Sequence, residues 1–322
     1  MRKGRRFLKI SIFVVLVLIV AEFYYYSNYS SKEEPAFHIS LIVYGNSSDR
    51  WENLKQGAER AADETTAEVN LITMSTETNA KEQLALINRE IENGADALMI
   101  SACDSREVGQ YFQENKVEIP VVFVENGLEN KEDYWYISAD NYAMGYELAN
   151  VIAANEKGWI KAAIIADRME RKNVSGRFQG VYDSLSQYAD EVVIWDRDEN
   201  EKDIQTVLFL QRELTEEAVD VVVALDTSSM ESLMDAVENL NKDIKVYGIA
   251  NSDKAVYYLD NGKIKSLIYQ NEFSIGYLGV KVILDEKAYE KNKIFNKVEY
   301  EIINEDDMYS AEYEKLLFPF VK

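Results

Sequence analysis

The chain holds one cysteine, one histidine and three prolines. A lone cysteine excludes an internal disulfide and a multi-cysteine zinc or iron–sulfur site, and a lone histidine excludes a multi-histidine metal site. So few prolines leave little room for unstructured linker. Basic charge is also short: 35 Lys+Arg stand against 57 Asp+Glu, a formal net charge of −22. That is the wrong sign for a protein that binds a phosphate backbone, so nucleic acid is excluded as a partner. Neither phosphate-loop pattern, G-x-x-x-x-G-K-[ST] or G-x-G-x-x-G, occurs, and there is no G-x-S-x-G nucleophile turn. No cofactor and no metal are expected, and no catalytic constellation appears; paired carboxylates leave an extracellular glycosidase as the remaining enzyme reading.

What is present begins at the N-terminus. Arg2, Lys3, Arg5, Arg6 and Lys9 precede an apolar run from Ile10 to Ala21, broken only by Ser11 and followed by Tyr24, Tyr25 and Tyr26. Basic flank, apolar stretch and aromatic edge are the parts of a membrane anchor. Counted over 7–26, with Lys9 snorkelling, the stretch reaches the ~20 residues a span needs. The expected division is a cytoplasmic stub at 1–6, a single transmembrane anchor at 7–26 and a polar linker at 27–36. A cleaved secretory signal competes, although Ala21 is followed by Glu22 where a small-x-small cleavage site is wanted. Both readings export the remainder, in which 29 Lys+Arg face 54 Asp+Glu from Phe37 on, a charge of −25.

In the exported part short apolar runs alternate with amphipathic stretches. Expected strands are His38–Tyr44, Val69–Met74, Ala95–Ser101, Ile119–Glu125 and Tyr134–Ser138, then Lys161–Ala166, Glu191–Trp195, Val219–Leu225, Ile244–Ala250 and Ile264–Gln270. Between them the spacing predicts helices over Asp49–Thr65, from a cap at Asn79, and over Asn141–Asn155, Ser175–Tyr188, Lys202–Glu217, Ser229–Leu240, Ser252–Leu259 and Ser274–Lys287. Near-continuous apolar strands separated by helices indicate parallel sheets covered on both faces, and two such series indicate two doubly wound α/β lobes. Ligands of open parallel sheets bind beyond the carboxyl ends of the strands. Those ends carry Ser48, Arg50 and Trp51; Glu125 and Asn126; Asp226; and Gln270, with Arg177 at the start of a helix. Forked polar groups suit vicinal hydroxyls, and an indole face suits the C–H surface of a sugar ring. Cys103 reads as an inert buried thiol, and Asp104 as a helix cap.

From about His38 to Ile303 the chain resembles the type I periplasmic sugar-binding proteins of the ribose-binding kind. The resemblance lies in SLIVYGNSSDRWENLKQGAERAA, ENGADALMISACDS, IPVVFVEN, YISADNYAMGYELA, RFQGVYDSL, VVVALDTSSM and VYGIANSDKAVYYLDNGKIKSLIYQNEFSIGYLG, in that order. It implies two lobes joined by a three-strand hinge, one from 37–140 plus 272–300 and the other from 141–271 plus 301–322. It implies closure on a small sugar or sugar derivative without catalysis. Arg177 then matches the sugar-binding arginine, Asp226 the polar residue after its strand and Gln270 the hinge glutamine. Trp51 matches an aromatic that packs on the sugar, Arg50 the aromatic beside it, and Glu125 with Asn126 an aspartate–arginine pair. Asp140 and Asn141 fall at the first crossover, and Asn141 and Asn271 at the hinge. Ala250, Asn126 and Arg50 depart from the pattern, which implies an altered pocket. The partner implied in the membrane is the permease of an ABC sugar importer or, alternatively, a sensor histidine kinase.

Overall fold

The computed structural model describes residues 17–22, 24, 37–47, 49–129, 134–196, 205–285, 294–295, 298–311 and 313–317. It divides into two units, Met1–Phe37 and His38–Lys322. In the first, residues 17–22 and 24 are helical and exposed. The rest of the expected anchor, the stub and the linker lie outside the described residues. Among the described residues no helix is long and apolar enough to cross a membrane.

The apolar runs of the second unit become short strands. β1 (Phe37–Val43), β2 (Ala67–Thr73), β3 (Ala97–Ile100), β4 (Val121–Val124), β5 (Trp135–Ile137) and β11 (Ile294–Phe295) form one sheet in the order β11-β5-β4-β3-β1-β2. β6 (Lys161–Ile165), β7 (Glu191–Trp195), β8 (Val221–Ala224), β9 (Lys245–Ile249), β10 (Ile264–Gln270) and β12 (Tyr300–Ile303) form the other, in the order β12-β10-β9-β8-β6-β7. β1 pairs with β3 in parallel, Ile39 opposite Ala97, and β6 with β8 in parallel, Ala162 opposite Val221; β12 runs antiparallel to β10. All four residues of β3, β4 and β8 are buried, as parallel strands sandwiched between helices must be.

The helices are α1 (Glu52–Ala62), α2 (Ala80–Glu92), α3 (Glu107–Glu114), α4 (Asn141–Asn155), α5 (Lys172–Leu185), α6 (Thr206–Glu216), α7 (Thr227–Leu240), α8 (Asp253–Asp260), α9 (Glu272–Leu284) and α10 (Glu314–Leu317). Several are capped by the residue types that favour a helix start: Asn79, Asp140, Asp226, Ser252 and Asn271 each accept a backbone N–H from the first turn. The chain passes between the sheets after β5, after β10 and after β11. At two of these passages Asn271 N–H donates to the Glu299 carbonyl at 3.0 Å. α9 returns to the first sheet and packs on α1 through glycine: a Cβ on Gly276 would stand 1.8 Å from the Leu54 carbonyl oxygen. α4 and α5 use the same device in the second lobe, where a Cβ on Gly180 would lie 2.1 Å from the Tyr142 oxygen.

Two helix starts differ from the sequence expectation in ways that matter for the site. Residues 49–51 form a 3-10 turn before α1, rather than the first turn of one helix. α5 begins at Lys172 instead of Ser175. That moves Arg177 into the helix body and puts Arg171 at its mouth.

Candidate functional site

The ends of β1, β3, β4, β8 and β10 bring polar side chains from both lobes together. Glu125 is the hub. It follows β4, is 1% exposed, and holds a left-handed backbone, φ 61°, that non-glycine residues rarely adopt. Its carboxylate accepts from Tyr44 Oη at 2.8 Å, Ser101 Oγ at 3.2 Å and Asn173 Nδ2 at 2.6 Å. Arg177 Nη2 and Arg50 Nη2 stand 3.6 and 3.9 Å from its Oε1. Asn126 accepts the Asn173 N–H at 3.1 Å. Arg177 Nε donates to Asn141 Oδ1 at 2.8 Å, and its Nη1 donates to the Leu225 carbonyl at 3.0 Å. Gln270 and Asn251 exchange bonds, Asn251 Nδ2 donating to Gln270 O at 2.9 Å.

In front of this group lies a cavity of about 690 Å³. Its walls are residues 44–47 and 49–53, Glu77, Arg171, one face at the start of α7, Tyr269 and residues 251–254 at the start of α8. Arg171 is 1% exposed and spans the lobes. Its Nη1 donates to Asp226 Oδ2 at 3.3 Å, its Nη2 donates to Glu77 Oε2 and to the Glu77 carbonyl at 3.0 Å, and its Cζ lies 3.7 Å over the Tyr44 ring. A buried guanidinium is tolerable because it is paired this fully. The same pairing acts on Asp226. Burial pushes its carboxyl upward, but Arg171 and the bonds from Ser229 outweigh burial and hold it below the ordinary value. Glu272 goes the other way: burial, with Glu125 nearby, raises it despite Arg50 Nη1 at 2.6 Å.

Of the residues expected to bind ligand, Arg50, Trp51 and Asp226 line the cavity. Glu125, Asn126, Arg177 and Gln270 form the buried group behind it. Asp140 caps α4, accepting from Ala143 N–H at 3.1 Å, and Asn141 holds Arg177. Asn271 caps α9. Ser48 lies outside the described residues. The Trp51 indole is fully buried, donates from Nε1 to the Tyr44 carbonyl at 2.9 Å, and carries the Arg50 guanidinium 4.4 Å over its ring.

Sequence reasoning missed Arg171, Tyr44, Asn173 and Glu272. The signal for Arg171 was the spacing of the apolar positions in α5, read three residues late. Four buried polar atoms of the cluster, Arg171 Nε, Arg177 Nη2, Gln270 Oε1 and Glu272 Oε2, have no protein hydrogen-bond partner among the described residues. Among those residues no group of acidic, histidine or cysteine side chains could hold a metal ion.

Two lobes with a polar cluster between the ends of their parallel strands define a two-lobed α/β ligand-binding protein. Residues 39–291 match the periplasmic binding protein domain, and the chain belongs to that family, with the type I fold. It is 24% identical over 265 residues to the ribose import binding protein of Bacillus subtilis, covering 80% of this chain and 84% of that one. The Escherichia coli ribose import binding protein is likewise 24% identical, over 266 residues, covering 79% of this chain and 87% of its own length. Among solved structures, a carbohydrate transporter solute binding protein from Agrobacterium radiobacter in complex with D-arabinose superposes with a TM-score of 0.77 at 20% identity, covering 89% of this chain and 100% of that one. A XylFII–LytSN complex matches with a TM-score of 0.70 at 20% identity, covering 83% and 98%. The two curated relatives are named for ribose import and the Agrobacterium protein for carbohydrate transport.

Proposed function

We propose that this chain is an extracytoplasmic sugar-binding protein, tethered to the membrane through 7–26, that closes on a small sugar-like ligand and presents it to the permease of an ABC importer. The observation that carries the reading is the polar cluster between the lobes, in which four buried atoms have no protein hydrogen-bond partner among the described residues. Donors Arg171 Nε and Arg177 Nη2 and acceptors Gln270 Oε1 and Glu272 Oε2 suit the mixed donor–acceptor character of sugar hydroxyls. Glu125 and Asn126 brace the closed lobes, Arg177 and Gln270 face the ligand, and Arg50, Trp51 and Asp226 border it. Closure is a hinge motion about the passages at Asn141 and Asn271. It brings 37–140 with 272–300 against 141–271 with 301–322.

The relatives named for ribose import favour the importer. The XylFII–LytSN complex favours a second reading, in which the closed form engages a sensory partner such as a membrane histidine kinase. A thermal-shift screen of the full-length chain against monosaccharides, sugar acids and sugar phosphates tests binding: one or more saccharides raise the melting temperature, and a flat screen overturns the proposal. Deleting the gene separates the partners. Loss of sugar uptake supports the importer, and loss of sugar-induced transcription with uptake intact supports the sensor.

A further inference from the structure

One segment of the second lobe carries a run of bonds to the first. Residues 168–173 lead from β6 into α5 and reach the ends of four strands of the first sheet. At the end of β1, the Arg171 guanidinium lies 3.7 Å over the Tyr44 ring. Beyond β2, Glu77 accepts from Arg171 at both its carboxylate and its carbonyl, and from Arg168 Nε at 3.5 Å. Beyond β3, Ser105 N–H donates to the Glu170 carbonyl, and Ser105 Oγ accepts from Lys172 N–H. Beyond β4, Asn173 N–H donates to Asn126 Oδ1, Asn173 Nδ2 to Glu125, and Lys172 Nζ to the Leu128 carbonyl.

The contact is buried, strained and self-sufficient. Ser105, Glu125, Asn126, Arg171 and Asn173 are each 3% exposed or less. Exposed ion pairs contribute little, whereas breaking a buried and hydrogen-bonded one is costly. Among the described residues, the non-glycine residues with a left-handed backbone are Glu125, Arg168 and Asn241. Asn241 ends α7. Glu125, at φ 61°, and Arg168, at φ 62°, stand on the two sides of the contact. Such strain persists only where surrounding contacts over-determine it. Every bond joins protein to protein, so the set holds the lobes together whether or not a sugar is bound. Asp226 braces the segment from within its own lobe, through Arg171 Nη1.

We propose that residues 168–173 are an interlobe clasp that closes the lobes ahead of the sugar and preorganises its site. The inference rests on the sugar-binding reading above and adds the order of events. Arg177 already stands against Glu125 of the first lobe, 3.6 Å away, when the sugar enters during a brief opening. Arg171 and Asn173 are then positioning residues, acting on affinity through the closed fraction of the chain. Apparent affinity falls in proportion to that fraction, so a weakened clasp weakens sugar binding.

Electron spin labels on the full-length chain test it, placed at Lys81→Cys in α2 and Leu208→Cys in α6. Both positions are exposed, one on each lobe, and the native Cys103 is buried. In sugar-free buffer the clasped chain gives mainly the single short distance of the closed lobes. The double variant Glu77→Ala with Asn173→Ala removes bonds to two charged groups and lowers the closed-to-open ratio about a hundredfold. A longer distance then appears. Arg171→Ala does the same by about tenfold or more, and keeps the test if the double variant does not fold. D-ribose, D-arabinose, D-xylose and D-glucose are then added, with melting curves in parallel. A sugar that raises the melting temperature leaves the wild-type distance in place and shortens that of the variants. A sugar-free wild type that is mainly at the longer distance overturns the clasp, as do folded variants whose distances match the wild type. Sugars that move no melting temperature overturn the sugar-binding reading alone, because the sugar-free distances still decide the clasp.

Discussion

Asn173 Nδ2 donates to Glu125 Oε1 at 2.6 Å, tying the start of α5 in one lobe to the end of β4 in the other. Nearby, Lys172 N–H donates to Ser105 Oγ at 2.9 Å, Ser105 N–H to the Glu170 carbonyl at 3.0 Å, and Lys172 Nζ to the Leu128 carbonyl at 3.2 Å. The lobes are thus latched by short, partly buried bonds.

Replacing Asn173 by alanine removes a buried donor and leaves a Glu125 oxygen under-satisfied. The expected cost is about 1–3 kcal/mol in stability. The two lobes should also separate more readily, seen as a larger radius of gyration by small-angle scattering. A radius equal to that of the wild type would mean the latch does not set the lobe separation.

The glycine contacts between paired helices make a sharper stability prediction. Gly276→Ala drives a Cβ to 1.8 Å from the Leu54 oxygen, and Gly180→Ala to 2.1 Å from the Tyr142 oxygen. Each should cost about 1–3 kcal/mol or more, because backbone atoms cannot yield as a side chain can. Gly109 in α3 meets nothing closer than Leu128 Cβ at 3.9 Å. Gly109→Ala should therefore be neutral or stabilising, by up to about 1 kcal/mol. Chemical denaturation of the three variants distinguishes these outcomes.

Asp226 governs part of the acid limb of stability. Its folded-state carboxyl is held below its ordinary value of 3.8, so its contribution is fully present above that pH and is lost as pH falls through the lower folded value. Asp226→Asn should lower stability at neutral pH and flatten the decline below about pH 4. Glu272 has the opposite sign: raised chiefly by burial, it favours the folded state most below 4.5 and loses that contribution as pH rises through its folded value. Melting curves across acidic pH for both proteins check the assignment.

Cys103 should resist modification. It is fully buried, and burial pushes its thiol up to about 12. At neutral pH a thiol reagent should label it only after denaturation, since the thiolate is the reactive form. Rapid labelling of the folded chain would contradict its placement.

The architecture was legible because parallel strands leave a plain trace. Runs such as VVVAL and IPVVFV are apolar on both faces, and the interruptions between them carry caps such as Asn79 and Asp226. The site was legible only in part. Strand-end residues such as Glu125 and Gln270 were found because the topology places strand ends at the cleft. Arg171 was not, because Val174, Val181 and Leu185 set the helix face that buries α5, and a start displaced by three residues exchanges which arginine stands at its mouth. Trp51 looked like a stacking surface in sequence. In the fold its N–H is spent on Tyr44 and its ring carries Arg50, relationships that no local pattern encodes.

The central claim is that a small sugar is held between the lobes beside Asp226. Isothermal titration of the full-length chain, with the saccharide that most raises its melting temperature, tests it most directly. The account predicts saturable binding at one site per chain with micromolar affinity, about 8 kcal/mol, weakened by about tenfold or more in folded Asp226→Asn. An absence of binding heat, or an unchanged affinity in the variant, would contradict it.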